Sequence, residues 1–108
     1  TPADRMTKLQ LKAAPTFTAK VGIPVAGGAS VPVAFTFKHR TRTQLVEFMN
    51  SRADQSDTDS FMEMVTAWDL EEPFSREAAN ELLENYGGAA VAVYTAYREE
   101  LLRAKEKN

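Results

Sequence analysis

The fold is decided in the stretch Lys38-His39-Arg40-Thr41-Arg42-Thr43-Gln44-Leu45. Apolar and polar residues alternate before it, which is typical of β-strands, and apolar residues recur at helical spacing after it. Thr41 and Gln44 fit a capping box, in which the hydroxyl accepts a first-turn N–H and Gln44 bonds back to the backbone of Thr41. The sequence therefore predicts a change from strands to helices at about residue 41.

Upstream of this junction, two alternating segments predict a β-hairpin. Residues 16–23 and 31–37 each place four apolar side chains on one face: Phe17, Ala19, Val21 and Ile23, then Val31, Val33, Phe35 and Phe37. Gly27 and Gly28 between them permit the positive φ of a hairpin loop. Pro32 has no N–H and belongs at a strand start or on an open edge. Residues 6–11 also alternate and are predicted as a third short strand.

Downstream, apolar stripes predict about four helices. The first covers about residues 42–53, and the second is capped by Ser56 or Asp57 and continues through Trp68. The third is capped by Ser75 and ends at Gly87-Gly88 in a left-handed conformation. The fourth runs from about residue 89 to residue 105. We expect the stripes to meet the hairpin in one core, with Leu45, Phe48, Trp68, Leu82, Tyr94 and Tyr97 at its centre.

Length and composition limit the class of protein. A chain of 108 residues fits one domain, which we divide into a β-rich part (1–40) and a helical part (41–108). Without cysteine, disulfides and thiolate zinc sites are not possible. No apolar run approaches the ~20 residues of a membrane span, and residues 1–11 lack the apolar stretch of a signal peptide. We therefore expect no contact with a membrane.

The charge is unevenly distributed along the chain. Residues 1–40 contain six Lys or Arg and one acid, whereas residues 41–97 contain three Lys or Arg and eleven acids. This separation of positive and negative charge favours head-to-tail association between copies and can steer the approach of charged partners. Self-association is therefore predicted, although solvated charged faces on a monomer would give the same pattern.

Candidate chemical sites are few. His39 is the only histidine, so no pair of histidine ligands and no conventional triad can be drawn. Asp54, Asp57 and Asp59 resemble the start of a calcium loop, but Asp59 stands where that motif needs glycine. No catalytic, cofactor-binding or metal residue is predicted, and a small enzyme subunit is disfavoured. A basic patch beside Phe35 and Phe37 keeps one alternative open, a nucleic-acid-binding regulatory protein; the patch consists of Lys38, Arg40 and Arg42.

An ordered set of short motifs runs from about Thr16 to Asn108. In order, they are Lys20-Val21-Gly22-Ile23-Pro24-Val25, Phe35-Thr36-Phe37-Lys38-His39-Arg40-Thr41-Arg42, Val65-Thr66-Ala67-Trp68-Asp69-Leu70, Phe74-Ser75-Arg76-Glu77, Tyr86-Gly87-Gly88-Ala89-Ala90, Tyr94-Thr95-Ala96-Tyr97 and Lys107-Asn108. This set resembles the tail assembly chaperones of long, flexible-tailed phages and their prophages. The Trp68-Asp69 pair and the Ala96-Tyr97 helix carry most of the resemblance, whereas Gly87-Gly88 departs from the proline expected nearby.

The resemblance implies a protein that is not an enzyme and uses no cofactor. Such chaperones coat the tape measure protein in the host cytoplasm and are absent from the mature virion. Many occur also as a longer form, made by ribosomal frameshifting, whose extension recruits the tail tube protein. For this chain the resemblance implies the same partners, the tape measure protein and the tail tube protein.

The complete prediction is an α+β domain, with an N-terminal β-hairpin or small antiparallel sheet followed by about four helices. An edge strand over residues 31–37 would offer a surface for added strands or for amphipathic helices. The last helix offers a second surface. The predicted protein-interaction residues are Val31, Val33, Phe35, Phe37, Tyr97 and Leu101.

Overall fold

The computed structural model describes residues 9–102 of the chain. A three-stranded antiparallel sheet has the order β1-β2-β3, with β1 at Thr16–Ile23, β2 at Val31–Lys38 and β3 at Val65–Trp68. The helices are α1 at Arg42–Ser51, α2 at Asp57–Met64, α3 at Arg76–Asn85 and α4 at Ala89–Leu102, and a 3-10 turn at Arg52–Asp54 follows α1. The predicted α+β class, with a small antiparallel sheet and four helices, is confirmed.

The hairpin of β1 and β2 forms in the predicted register. Val21 faces Val33 and Phe17 faces Phe37 across the pair, so the apolar faces of the two strands coincide. Gly27 has a φ of 76°, and the N–H of Gly28 donates to the carbonyl of Val25 at 3.0 Å. The loop therefore needs a residue without a Cβ at position 27.

The third strand comes from a segment that the sequence predicted as helix. The second predicted helix ends at Met64, and residues 65–68 pair with β2, with Trp68 opposite Phe35 and Val65 opposite Phe37. The i, i+3, i+4, i+7 stripe that ends at Trp68 fits a helix, but the free side of β2 offers a ladder of backbone bonds that a helix could not satisfy. β2 is consequently the central strand, and the prediction of an edge strand is wrong for residues 35–37.

The third strand predicted over residues 6–11 is wrong for its described part. Leu9, Gln10 and Leu11 lie outside every strand, and the two leucine side chains are almost wholly exposed. Residues 6–8 lie outside the described residues. Alternation alone does not form a strand, and residues 9–11 pair with none of the three strands.

The predicted helix starts are confirmed. The Thr41 hydroxyl accepts the N–H of Gln44 at 3.1 Å, and the Gln44 side chain accepts the N–H of Thr41 at 2.9 Å, which completes the capping box. Ser56 rather than Asp57 caps α2, and Ser75 caps α3; each hydroxyl accepts a backbone N–H at 3.0 Å. α4 begins at residue 89 as predicted, and its predicted last residues, 103–105, lie outside the described residues.

The turn between α3 and α4 differs from the prediction. In the described chain the glycine with positive φ is Gly27, so Gly87-Gly88 does not adopt the left-handed conformation. A Cβ added at Gly88 would lie 3.1 Å from the ring of Pro24, so this glycine allows close packing of the turn against the hairpin loop. The N–H of Ala89 donates to the carbonyl of Tyr86 at 2.9 Å and closes the turn.

One apolar core lies between the inner face of the sheet and the helices. The six residues predicted to converge all belong to it: Leu45, Phe48 and Tyr97 are buried, and Trp68, Leu82 and Tyr94 pack against it. α4 packs against β1, and α2 packs against α3 and α4. The last helix therefore covers the strand that comes first in the chain.

Candidate protein-interaction surfaces

An open apolar groove of about 320 Å³ lies at the loop end of the sheet, between the start of β2 and α3. Val31, which lines it, is 50% exposed, and Tyr86 on the opposite wall is also exposed. The charged side chains in its lining are Glu72 and Glu81. The groove is lined by Ile23, Val25, Val31, Val33, Trp68, Leu70, Glu72, Ala78, Glu81, Leu82, Asn85 and Tyr86.

The groove is open because β3 is shorter than β2. β3 pairs only with Phe35–Phe37, so residues 31–33 have no neighbouring strand on that side within the described chain. Asp69 closes the ladder: its carboxylate accepts the N–H of Ala34, and its own N–H donates to the carbonyl of Ala34, both at 3.1 Å. Pro32 precedes Ala34 by two residues and faces the same side, where it provides no donor. Binding in the groove must therefore depend mainly on apolar contacts.

A second exposed surface, with two large apolar side chains, lies on α4. Val91 is 67% exposed and Leu102 is 45% exposed, and Thr95 between them is exposed as well. Their spacing of four and seven residues places them along one face of the helix. Ala89, Val93 and Tyr97 form the buried face. We call the exposed face, made of Val91, Thr95 and Leu102, the α4 stripe.

Arg40 and Tyr97 form a polar junction inside the fold. The Tyr97 hydroxyl donates to the carbonyl of Lys38 at 2.7 Å and accepts from Arg40 Nη1 at 2.9 Å. The same nitrogen donates to the carbonyl of Glu63 at 2.8 Å, and Nη2 donates to its carboxylate at 3.0 Å. The guanidinium also lies 4.4 Å from the ring centre of Phe48. The junction ties β2, α2 and α4 together.

We also searched the described residues for a metal site and for a membrane-spanning helix. In residues 9–102 no group of three or more His, Cys, Asp or Glu side chains could hold a metal ion. Over the same range, no helix is both long enough and apolar enough to cross a membrane.

Residues 6–108 match the sequence profile of a family described as phage tail assembly chaperone. The chain belongs to this family. It has no significant match among curated proteins or among solved structures. The match covers nearly all of the chain, so both surfaces and the junction lie within the family domain.

The predicted interaction residues of this tail assembly chaperone do not form one exposed surface. Val31 lines the groove and is half exposed, and Leu101 packs against the core from the end of α4. The remaining four are buried: Val33, Phe35, Phe37 and Tyr97. The interaction role stays a prediction for all six, and Val31 is the one whose side chain offers most of its area to a partner.

The basic patch is divided by the fold. Lys38 and Arg42 are exposed, whereas Arg40 points inward and its side chain is only 16% exposed. Its charge is opposed by the Glu63 carboxylate. The nucleic-acid alternative depended on three adjacent basic side chains, and the chaperone does not present them together.

The residues that sequence reasoning missed are those of the groove walls and the α4 stripe. Leu70, Leu82 and Tyr86 come from two segments that meet only in the fold, so no spacing in the sequence indicates their groove. Val91 and Leu102 did carry a signal. They are apolar but fall outside the core stripe of the last helix. Several apolar side chains aligned on the exposed face of a helix indicate a contact surface.

The remaining candidates take structural roles in the chaperone. Asp59 forms an ion pair with Arg76, and this hydrogen bond lowers the pKa of Asp59 below its ordinary value. Ser56 caps α2 at the centre of the aspartate-rich turn. His39 is partly exposed directly after β2, and its backbone N–H donates to the carbonyl of Pro15 at 2.8 Å. His39 therefore lies at the end of a strand.

We expect the protein to lose stability at alkaline pH, because the Tyr97 hydroxyl titrates there. Burial raises the pKa of Tyr97 above its ordinary value of 10.0, against the opposing effect of the hydrogen bond from Arg40. The folded state thus holds this proton more tightly than the unfolded chain. Its stabilising contribution is present below pH 10 and is lost as the pH rises through the folded-state pKa.

We expect the stability advantage of the wild type over Tyr97→Phe to shrink above about pH 10, the pH at which an unfolded tyrosine titrates. Urea unfolding of both proteins at several pH values measures this difference. The phenylalanine variant has the same remaining titratable groups, so they cancel in the comparison. A constant difference up to pH 11 would contradict the assignment.

Proposed function

We propose that this tail assembly chaperone is a non-enzymatic coat for the tape measure protein. It acts in the host cytoplasm before tail tube subunits polymerise around the tape measure protein, and it is absent from the mature virion. A longer, frameshifted form would bring the tail tube protein to the coat. Membership of the family supports the role in tail assembly, and the α4 stripe is the single observation that carries the proposed contact.

The α4 stripe suits a helical partner. Val91, Thr95 and Leu102 form a ridge along one face of a 14-residue helix, and such ridges pack into the grooves of another helix. A long amphipathic helix presents apolar side chains at i, i+3, i+4 and i+7. The apolar side chains of the stripe would cover one short length of that surface.

Coverage of a long partner requires many copies. A standard interface covers about 800 Å² on each side, and the α4 stripe offers only two large apolar side chains. Each contact is therefore weak, and a continuous coat gains its strength from repetition. Weak single contacts also allow tail tube subunits to displace the coat.

Co-expression with a long tape measure protein tests this function. We expect the chaperone to keep its partner soluble and to co-purify with many copies per partner. Val91→Lys with Leu102→Lys should abolish both effects, because two charges would enter the apolar contact. The matched control is Val46→Lys, which adds a charge at an exposed valine of α1.

Circular dichroism must show that both variants remain folded, as expected for exposed sites. If the wild type fails to keep the tape measure protein soluble, the proposed function is wrong. If the folded α4 variant protects the partner as well as the wild type does, the contact lies on another surface. Sequencing the flanking DNA for a tape measure gene and an overlapping −1 frame provides an independent check of the partner and of the longer form.

A further inference from the structure

We infer that the apolar groove binds the N-terminal arm of a second copy of this chain, so that copies join head to tail. The arm is residues 9–15, which precede β1. This inference rests on the proposed function in one respect, because it names the contact that links neighbouring copies in the coat. The groove then binds a second copy of the chain, whereas the α4 stripe binds the tape measure protein.

The arm has the side chains that the groove needs. Leu9 and Leu11 are almost wholly exposed, and their spacing of two puts both on one side of an extended segment. The groove is lined mainly by apolar side chains, and its volume of about 320 Å³ accommodates two leucine side chains. Each partner thus exposes apolar area that the other can cover.

The charges of the two surfaces are opposite. The arm, residues 9–15, contains one lysine, Lys12, and no acid. The groove carries Glu72 and Glu81, and residues 69–85, which form one wall, contain six acids and one arginine. Opposite charges around an apolar contact raise the association rate and fix the orientation of the arm.

The arm does not fill the groove of its own chain. The bond from His39 to Pro15 continues the β1–β2 ladder at one end of the sheet, whereas Val31 and the groove lie at the other end, beside Ile23. Thr16 and Ile23 are seven positions apart, a distance of roughly 23 Å at the usual rise of a strand. In the structure Leu9 and Leu11 are almost wholly exposed, so neither fills the groove of its own chain. We therefore assign the donor arm to another copy.

Repeated from copy to copy, this contact builds a chain. The arm and the groove are different surfaces at opposite ends of the sheet, so each copy donates one arm and accepts another. Such heterologous contacts repeat without limit unless the rotation closes a ring. A row of copies would present the α4 stripe repeatedly along a long partner.

Cysteine cross-linking tests the contact, because the natural chain has no cysteine. Gln10→Cys marks the arm, Asn85→Cys marks the groove, and Val91→Cys marks an exposed site outside the groove. Arm-marked protein carrying a mass tag is mixed with untagged groove-marked protein and oxidised. We expect roughly tenfold or more mixed disulfide than with the Val91→Cys partner, because binding raises the effective concentration of the arm thiol.

A leucine-free arm provides the specificity control. Adding Leu9→Ser and Leu11→Ser to the arm-marked protein should reduce the mixed disulfide to the Val91→Cys level. Equal cross-linking to Asn85→Cys and Val91→Cys would overturn the inference. So would a yield that does not depend on the leucines, or an internal disulfide in a dilute protein carrying both Gln10→Cys and Asn85→Cys.

Sedimentation and co-expression of the wild-type protein distinguish this inference from the proposed function. If wild-type protein sediments as a multimer while the arm and groove fail to cross-link, copies associate through another surface and the coat remains possible. If the cross-link forms but the tape measure protein stays insoluble in co-expression, the arm contact holds and the proposed function fails.

Discussion

Replacing Tyr97 by alanine is expected to lower the free energy of unfolding by about 3–5 kcal/mol, the usual cost of deleting a large buried aromatic side chain. The ring is wholly buried among Phe17, Phe37 and Phe48, with centroid distances of 6.2, 5.3 and 6.0 Å. The change also removes the hydroxyl that joins Arg40 to the carbonyl of Lys38. A cavity and two broken hydrogen bonds therefore act together.

Tyr97→Phe separates these two effects. It retains most of the ring and removes only the hydroxyl, so we expect a loss of about 1–3 kcal/mol, as for buried hydrogen-bonding groups left without a partner. The exposed Val91→Ala serves as a control, with a change within about 0.5 kcal/mol. Urea unfolding followed by circular dichroism gives all three values. Tyr97→Ala within 1 kcal/mol of the wild type would contradict the assignment of Tyr97 to the core.

Phe35→Asp is expected to prevent folding, whereas Val31→Asp, on the same strand and the same face, should leave the chain folded. Phe35 is wholly buried in the central strand, with the rings of Phe61 and Trp68 at 5.9 and 6.5 Å. A carboxylate there would be buried without a partner, and its cost approaches the total stability of about 5–15 kcal/mol of a small domain. Val31 is half exposed and can keep a carboxylate in water.

Thermal unfolding followed by circular dichroism measures this pair. Val31→Asp should melt cooperatively near the wild type and should lose head-to-tail association, because the charge lies in the groove. A cooperative, near-native transition of Phe35→Asp would show that Phe35 is not in the core. The comparison also shows why a charge at Phe35 or Phe37 cannot test partner binding: the change would remove the fold before it removed a surface.

The local features of the fold were predictable from the sequence because short-range chemistry determines them. The capping box of Thr41 and Gln44, the cap at Ser75 and the hairpin register each depend on residues close in the sequence. The apolar face of residues 31–37 was also predictable from its alternation. Each of these features is visible in the sequence as a periodicity or as a hydrogen-bonding partner a few residues away.

The features that the sequence did not reveal depend on distant partners. The stripe from Phe61 to Trp68 fits a helix as well as a strand, and only the free side of β2, about 30 residues earlier, determines that residues 65–68 become β3. Arg40 looked like part of a basic surface because its partner Tyr97 lies 57 residues away. The groove shares this property, since its walls meet only when the sheet and α3 pack together.

The packing of α4 on β1 sets the order in which the protein can mature on the ribosome. The hairpin emerges first, with Phe17 and Phe37 on its apolar face, but the ring that covers both belongs to Tyr97. The hydrogen bond from Tyr97 to Lys38 spans 59 residues, so the core closes only after nearly all of the described chain has been synthesised. Contacts this distant in sequence form late and slow the folding of small domains. The apolar face of the nascent hairpin consequently stays uncovered until the last helix has been synthesised, and each copy depends on its own α4 to cover it.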